Sequence, residues 1–183
     1  LGHYLTTIHM QIQAANAVGS RNPRQAQEML KKAQALTQEA LEDVRGSVSA
    51  LRERPDGRFV PLVEKIQKLL EDSDALMMKS NFRVCGTPRD IGPQTQWTLY
   101  RAAQEGVSNI CKHSQASEYS IELSYEDPSW IHLIVKDNGI GPFEYSEGFG
   151  LIGLRERVSH LNGSLSIFDT SEQGFGFEVI VPG

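Results

Sequence analysis

The first fifty residues carry apolar side chains at helical spacing. Leu1, Leu5, Ile8, Ile12 and Ala15 recur at steps of four and three. This heptad-like spacing is typical of a helix with one apolar stripe that packs against a partner. The pattern therefore predicts an amphipathic first helix.

A second helix is predicted after a break at residues 19–23. Asn22 is a good N-cap and Pro23 suits the first helical position. Apolar residues continue at helical spacing to about residue 54, where Pro55 and Gly57 end the helix. Two helices joined by a short turn form an antiparallel hairpin.

A single hairpin leaves much apolar surface in contact with water. Pairing two hairpins across a two-fold axis gives a four-helix bundle that buries this surface. The sequence therefore predicts a homodimer through the N-terminal helices. The alternative is a hairpin that packs on the domain that follows it.

The rest of the chain alternates helices with strands. Predicted helices cover 59–76, 94–112 and a segment after the glycine-rich stretch 137–153, and predicted strands cover 81–85, 119–125, 130–136, 164–168 and 175–181. The last helix is expected to end at Asn162, with Gly163 as the C′ residue. The pattern predicts an α+β fold, an α/β sandwich with a mixed sheet. The predicted domains are residues 1–54 and 59–183, joined by a linker at 55–58.

Composition narrows the function classes. The 183 residues carry a net charge of -5, which argues against a nucleic-acid partner. No run approaches the ~18 apolar residues of a membrane span, so no direct membrane contact is expected. Two cysteines, Cys85 and Cys111, make no disulfide framework, and the chain is expected to be cytoplasmic.

The helix at 94–112 carries a polar face. Arg101, Glu105, Asn109 and His113 recur every four residues, with Lys112 beside the last of them. A carboxylate one turn from a carboxamide can hold a hydrated Mg²⁺, which keeps several waters and takes few protein oxygens. The flanking cations can meet phosphate oxygens. The alternative is an ordinary solvated polar stripe.

A second motif follows the strand at 130–136. The strand ends at Asp137, and Gly139 and Gly141 bend the chain sharply. A carboxylate there can accept a hydrogen bond from an exocyclic amine such as that of adenine, while the glycines let a ring approach the backbone. The alternative is an ordinary Asn-Gly turn, which is common.

A third motif opens the last helix. Gly148, Gly150 and Gly153 form G-x-G-x-x-G at a helix N-terminus, where free N–H groups and the helix dipole favour phosphate. A dinucleotide-binding fingerprint requires a strand directly before it and a βαβ unit. Here a loop precedes the motif and hairpin strands follow, which argues against a dinucleotide fold.

In this order, the three motifs resemble the N, G1 and G2 boxes of the ATPase domain shared by gyrase, Hsp90, MutL and histidine kinases. The sequence LGHYLT at 1–6 resembles the end of the H-D-x-L-G-H-x-L-T block of the histidine kinases that partner NarL-type response regulators. Residues 41–52 resemble the second helix of that subfamily, and 150–157 resemble its lid. The resemblance implies a hairpin followed by a gyrase/Hsp90-like ATPase domain, with full-length relatives often anchored in a membrane.

The resemblance also implies an activity and its residues. It implies a two-component sensor histidine kinase that binds ATP and Mg²⁺ and phosphorylates a histidine of the hairpin, then a response-regulator aspartate. Asn109 would ligate Mg²⁺, Glu105 would orient water, and Asp137 would recognise adenine. The implied ATP-binding set is Asn109, Lys112, His113, Asp137, Gly139, Gly141, Gly148, Gly150, Leu151 and Gly153.

Two positions depart from the family pattern. The phosphoacceptor histidine would fall five positions before His3, upstream of Leu1, where the unequal lengths of the two helices also place missing residues. His9 is expected to be a packing residue. Phe175 stands where many relatives carry a hydroxyl that supports the adenine-binding Asp.

The competing interpretations of the chain's function are a degenerate dimeric sensor without turnover and an anti-sigma-type serine kinase.

The first prediction concerns His3. If the phosphoacceptor lies upstream, the chain incubated with Mg-ATP gains no phosphohistidine, because neither His3 nor His9 holds the acceptor position. Mass spectrometry under alkaline conditions, which preserve phosphohistidine, measures this. A phosphohistidine mapped to His3 would contradict the residue assignment.

Overall fold

The computed structural model describes residues 2–51, 61–73, 78–140, 149–170 and 174–183. The chain divides into two compact units, Leu1–Arg52 and Glu53–Gly183. The predicted linker at 55–58 lies outside the described residues, so the predicted domain boundaries stay a prediction.

The first unit is the predicted helical hairpin. Helix α1 covers Gly2–Val18 and helix α2 covers Pro23–Leu51. The Asn22 side-chain oxygen accepts a hydrogen bond from the backbone N–H of Gln25 at 3.2 Å. This bond satisfies one of the free N–H groups of the first turn, which confirms Asn22 as the N-cap.

The apolar stripe of α1 divides between two environments. Ala15 is buried, and Ile8 packs against a buried cluster of Tyr4 with Leu36 and Ala40 of α2. Leu5 and Ile12 instead keep 63% and 40% of their surface exposed. Among the hairpin side chains whose burial the structure describes, the large apolar ones that are exposed are Leu5, Met10, Ile12, Leu30, Leu41 and Val44. Packing within one hairpin therefore uses only part of the apolar surface that the sequence provides.

The second unit contains three α-helices and five strands among the described residues. The elements are α3 Leu62–Ser73, β1 Lys79–Cys85, α4 Pro93–Asn109, a π-helical turn Ile110–Ser114, β2 Glu118–Ser124, β3 Trp130–Asp137, α5 Phe149–His160, β4 Ser164–Asp169 and β5 Phe175–Pro182. Every predicted strand is present, with ends that differ by one or two residues. The helix predicted at 59–76 begins only at Leu62, and the long helix widens into the π-helical turn instead of staying α-helical to Lys112.

The strands form one mixed sheet in the order β1-β2-β3-β5-β4. Strands β1 and β2 are parallel and are connected through α4, while all the other pairs are antiparallel. This arrangement confirms the predicted mixed sheet and the α+β fold class.

One face of the sheet packs against the helices. Ile121, Leu133 and Val179 are fully buried on this face, in one core with residues of α3, α4 and α5. A Cβ on Gly106 of α4 would lie 2.7 Å from Cγ1 of Val135 on β3. The absence of a side chain at position 106 therefore lets α4 lie directly on β3.

The end of α5 corrects one sequence expectation. Asn162, with φ +56°, takes the left-handed position that had been predicted for Gly163. Gly163 donates its N–H to the carbonyl of Val158 at 2.9 Å. It is required for space, because a Cβ there would collide with the carbonyl oxygen of Ile180.

Among the residues that the structure describes, no helix combines the length and the apolar character needed to cross a lipid bilayer.

Candidate functional site

Asp137 ends β3 as a buried carboxylate, with only 5% of its surface exposed. Its Oδ1 accepts hydrogen bonds from the backbone N–H groups of Gly139 at 2.7 Å and Phe175 at 3.5 Å. Its Oδ2 is buried without a hydrogen-bond partner in the described part of the chain. Burial raises the pKa of Asp137, and the two backbone hydrogen bonds oppose that rise. A buried acceptor without a donor is costly, so a ligand N–H at Oδ2 would be stabilising.

The turn after Asp137 packs on the end of α4. Ile140 donates its N–H to the carbonyl of Ser114 at 2.9 Å, and a Cβ on Gly139 would collide with that same carbonyl oxygen. The Ser114 hydroxyl in turn donates to the carbonyl of Ile110 at 2.9 Å. Gly139 is therefore required by a close backbone approach, which goes beyond an ordinary Asn-Gly turn. Gly141 lies outside the described residues.

Asn138 fixes the same turn from the side of β2. Its Oδ1 accepts hydrogen bonds from the N–H groups of Ser117 and Glu118, both at 3.0 Å. Its Nδ2 donates to the Ser117 hydroxyl at 3.0 Å. No role for Asn138 was predictable from local sequence patterns, because its partner residues lie about twenty positions away.

The polar face of α4 is partly buried. Glu105 and Asn109 are half-buried, and Arg101 is buried, with 8% of its surface exposed. Arg101 Nη1 donates to Gln104 Oε1 at 2.6 Å, and the guanidinium carbon lies 5.9 Å from the centre of the Trp97 ring. A solvated stripe would leave these side chains exposed, so that alternative is wrong for Arg101.

The helix widens directly after Asn109. Residues Ile110–Ser114 form the π-helical turn, and Gln115, with φ +51°, ends it. Single π-helical turns are rare and are frequent at functional sites. Lys112 is exposed in this turn, and His113 belongs to the same turn.

Helix α5 begins against the middle of α4. A Cβ on Gly150 would collide with the carboxylate of Glu105, so these two residues are in direct contact. Leu151 and Gly153 are buried in the first turns of α5. Gly148 lies outside the described residues.

These contacts bring the three sequence motifs to one helix. Glu105 of α4 contacts the start of α5, and Ser114 contacts the turn after Asp137. Asn109 lies between Glu105 and Ser114 along the helix, one turn after Glu105. The order of the contacts therefore places Asn109 between the turn that carries Asp137 and the start of α5.

A half-open cavity of about 570 Å³ adjoins Asp137. Its walls come from the starts of β1 and β2, the end of β3 and the residue after β4. The lining residues are Lys79, Ser80, Asn81, Glu118, Tyr119, Ser120, Lys136, Asp137, Asn138 and Thr170. Asn109 is not among the residues that line this cavity.

Thr170 is a contact residue that the sequence did not single out. Its hydroxyl donates to the backbone carbonyl of Asp137 at 3.3 Å. Phe175 has no hydroxyl at the position where many relatives carry one, and it instead donates its backbone N–H to Asp137. A threonine directly after a strand gives no sequence signal of its own, because its partner is thirty-three residues away.

The donor set on α4 fits a magnesium ion. The side chains of Glu105 and Asn109 have no hydrogen-bond partner among the described residues, so an amide oxygen and a carboxylate are available. Within those residues, no group of three or more His, Cys, Asp or Glu side chains could hold a metal. Mg²⁺ takes few protein oxygens and completes its shell with water and phosphate, so this sparse set fits it.

Two family models match the chain. Residues 1–56 match the model described as histidine kinase. Residues 94–183 match the model described as histidine kinase-, DNA gyrase B-, and HSP90-like ATPase.

Individual relatives agree with these matches. The chain is 32% identical to the sensor histidine kinase LnrJ of Bacillus subtilis, over 96% of the chain and 43% of LnrJ. It is 28% identical to the sensor histidine kinase DesK of the same organism, over 100% of the chain and 48% of DesK. The chain therefore spans less than half the length of these relatives.

Solved structures show the same fold. The chain is similar to the Acinetobacter baumannii histidine kinase AdeS, with a TM-score of 0.57 and 16% identity over 98% of the chain and 97% of that structure. Together with the motifs on α4, β3 and α5, these matches show that the chain belongs to the histidine kinase family.

Proposed function

We propose that this chain is the ATP-binding and dimerisation portion of an ATP-dependent sensor histidine kinase. It binds Mg-ATP, the γ-phosphoryl group passes to a histidine of the helical hairpin other than His3 and His9, and from there to an aspartate of a response regulator with a NarL-type output domain. The observation that carries the proposal is the buried Oδ2 of Asp137, which lacks a donor within the described residues.

Asp137 recognises the base in this proposal. An ionised carboxylate only accepts hydrogen bonds, and the exocyclic amine of adenine donates them. Oδ1 is held by backbone N–H groups, so the carboxylate is fixed before the ligand arrives. Gly139 keeps the turn close to α4 and leaves no side chain beside the base.

The phosphates lie on the α4 and α5 side in this proposal. The first turn of α5 offers free N–H groups to phosphate oxygens. Gly150, Leu151 and Gly153 belong to α5, and the proposal assigns them to the phosphates together with Gly148. Lys112 and His113 of the π-helical turn, together with Gly141, complete the assigned set.

Asn109 holds Mg²⁺ through its amide oxygen, and Glu105 orients water beside it. When bound, the ion neutralises charge on the phosphate oxygens. The histidine nitrogen attacks the γ-phosphorus, the bond from that phosphorus to the bridging oxygen breaks, and ADP leaves. The imidazole ring releases its N–H proton, which a water oriented by Glu105 can accept.

The exposed apolar side chains of the hairpin support dimerisation. Leu5, Ile12, Leu41 and Val44 belong to α1 and α2 and are exposed in a single copy. Burial of such side chains is favourable by about 25 cal/mol per Å². A second copy of the hairpin, arranged as a four-helix bundle, covers them in this proposal.

The first test removes the base contact. Asp137→Asn replaces an acceptor-only group with one that presents N–H donors toward the adenine amine. Because a hydrogen bond to a charged group contributes about 1.5–3 kcal/mol, we expect ATP affinity to fall about 10-fold to 100-fold. Isothermal titration calorimetry with Mg-ATP measures this, and Asp90→Asn, an exposed change of the same charge, is the control. Unchanged affinity in Asp137→Asn refutes the base assignment, and a parent chain that binds no ATP at millimolar concentration is a degenerate sensor.

The second test distinguishes a loss of magnesium binding from a loss of nucleotide binding. Asn109→Ala removes the proposed amide ligand, so we expect Mg-ATP affinity to fall about 10-fold while binding of ATP in excess EDTA stays within about twofold. Ser108→Ala, at the neighbouring half-buried position of α4, is the control. Equal losses with and without magnesium would show that Asn109 does not act through the metal.

The third test concerns stability and pH. Burial raises the pKa of Asp137 in the folded chain above its unfolded value, so folding favours the protonated carboxyl. The protonated Asp137 carboxyl therefore contributes to the free energy of unfolding. This contribution is fully present below the unfolded pKa and is lost as pH rises through the folded pKa. We therefore expect nucleotide-free Asp137→Asn to be more stable than the parent at pH 7, with a difference that shrinks as the pH approaches 4. Urea unfolding across pH 4–7 measures this, and a variant less stable than the parent at every pH would contradict it.

A further inference from the structure

We infer that Thr170 is a positioning residue for Asp137 and thereby contributes to the preference for adenine over guanine. The inference rests on the proposed function, in which Asp137 recognises the base. It assigns to Thr170 the support that a hydroxyl at position 175 gives in the family pattern.

The connection between β4 and β5 is closed by Thr170 and anchored on Asp137. The N–H of Thr170 donates to the carbonyl of Gly174 at 2.9 Å. The hydroxyl of Thr170 donates to the backbone carbonyl of Asp137 at 3.3 Å. Both ends of the connection therefore meet the same residue.

Gly174 makes this close approach possible. A Cβ at position 174 would lie 2.7 Å from the Thr170 hydroxyl and would collide with the carbonyl oxygen of Asp137. The glycine thus lets the backbone at position 174 lie directly on the end of β3, within reach of the hydroxyl.

The same segment supplies a donor to the carboxylate. Phe175 follows Gly174 and donates its N–H to Oδ1 of Asp137 at 3.5 Å. This distance is at the long limit of a hydrogen bond, so a further displacement of a few tenths of an ångström breaks it. The pairing of Phe175 with Asp169 and the Thr170 hydroxyl together hold this segment beside Asp137, so we expect loss of the hydroxyl to draw the Phe175 N–H away from the carboxylate.

The sheet pairs Phe175 with Asp169 of β4 and Asp137 with Tyr119 of β2, but it does not pair Asp137 with β5. The paired register of β3 and β5 ends at Lys136 with Gly176, one residue before Asp137. The Phe175 ring packs near Phe177, with ring centres 6.5 Å apart, and carries no hydroxyl. Among the described residues, Thr170 is the one whose side chain donates a hydrogen bond to Asp137.

Thr170→Val and Thr170→Ser test the inference. Valine keeps the branched shape and removes the hydroxyl, whereas serine keeps the hydroxyl. Calorimetry measures the Kd of each variant for Mg-ATP and for Mg-GTP. For Thr170→Val we expect a fivefold to tenfold loss of ATP affinity, with GTP affinity within twofold of the parent, because the hydroxyl acts on the carboxylate that reads the base. We expect Thr170→Ser to keep the parent's ratio of ATP to GTP affinity.

Three outcomes overturn the inference. One is an unchanged ratio in Thr170→Val. Another is an equal loss of affinity for ATP and for GTP together with a lower midpoint of urea unfolding, which indicates a purely structural role. The third is a Thr170→Ser variant that does not keep the parent's ratio of ATP to GTP affinity. This result also decides the question if Thr170→Val does not fold.

The parallel measurement on Asp137→Asn separates this inference from the proposed function. If Asp137→Asn loses ATP affinity and Thr170→Val keeps the parent's ratio, only the role of Thr170 is wrong. If Asp137→Asn binds ATP as the parent does, the base assignment is wrong and the role of Thr170 is wrong with it.

Discussion

A buried carboxylate needs donors, and this requirement organises the ATPase-like unit. Asp137 has backbone donors at one oxygen and none within the described residues at the other. Burial disfavours its charged form, as the raised pKa reflects. The unit tolerates this cost because packing and hydrogen bonds hold the end of β3 on three sides, through α4, β2 and the connection from β4 to β5. A group that is costly without a ligand and strongly fixed in place is well suited to recognition.

Helix α4 transmits the position of the sheet to the rest of the site. Gly106 lets α4 lie directly on Val135 of β3, and this contact sets the distance between the helix and the sheet. One turn on either side of Asn109, the same helix contacts Gly150 through Glu105 and the turn after β3 through the π-helical segment. The polar face of α4 is therefore placed by apolar packing on its opposite face. A change in the core under Gly106 would move the proposed metal ligand without touching it.

The sequence predicted the elements and the motifs because both depend on local patterns. Alternating apolar residues identified β3, and Asn22 with Pro23 identified the start of α2. Burial of Arg101, the carbonyl of Ser114 under Gly139 and the Thr170 hydroxyl on Asp137 were not predictable in this way. Each depends on a partner brought near by the tertiary fold. The misplaced C′ residue of α5 has the same origin, because Gly163 is required by contact with β5 and Asn162 adopts the left-handed conformation.

The two sides of the proposed site are held in different ways. In the proposal, the fixed side contributes affinity and the adjustable side takes part in the phosphoryl transfer. On the base side, Asp137 is fixed by backbone donors and by the Thr170 anchor, so its geometry exists before a nucleotide binds. On the phosphate side, the side chains of Glu105 and Asn109 have no hydrogen-bond partners among the described residues, so they can adjust to a metal and to phosphate groups. Rigid groups contribute binding energy without an ordering cost, whereas adjustable groups are best used where the ligand changes during the reaction. The base is unchanged by phosphoryl transfer and the phosphates are rearranged by it, so the rigid and the adjustable sides are placed where each is needed.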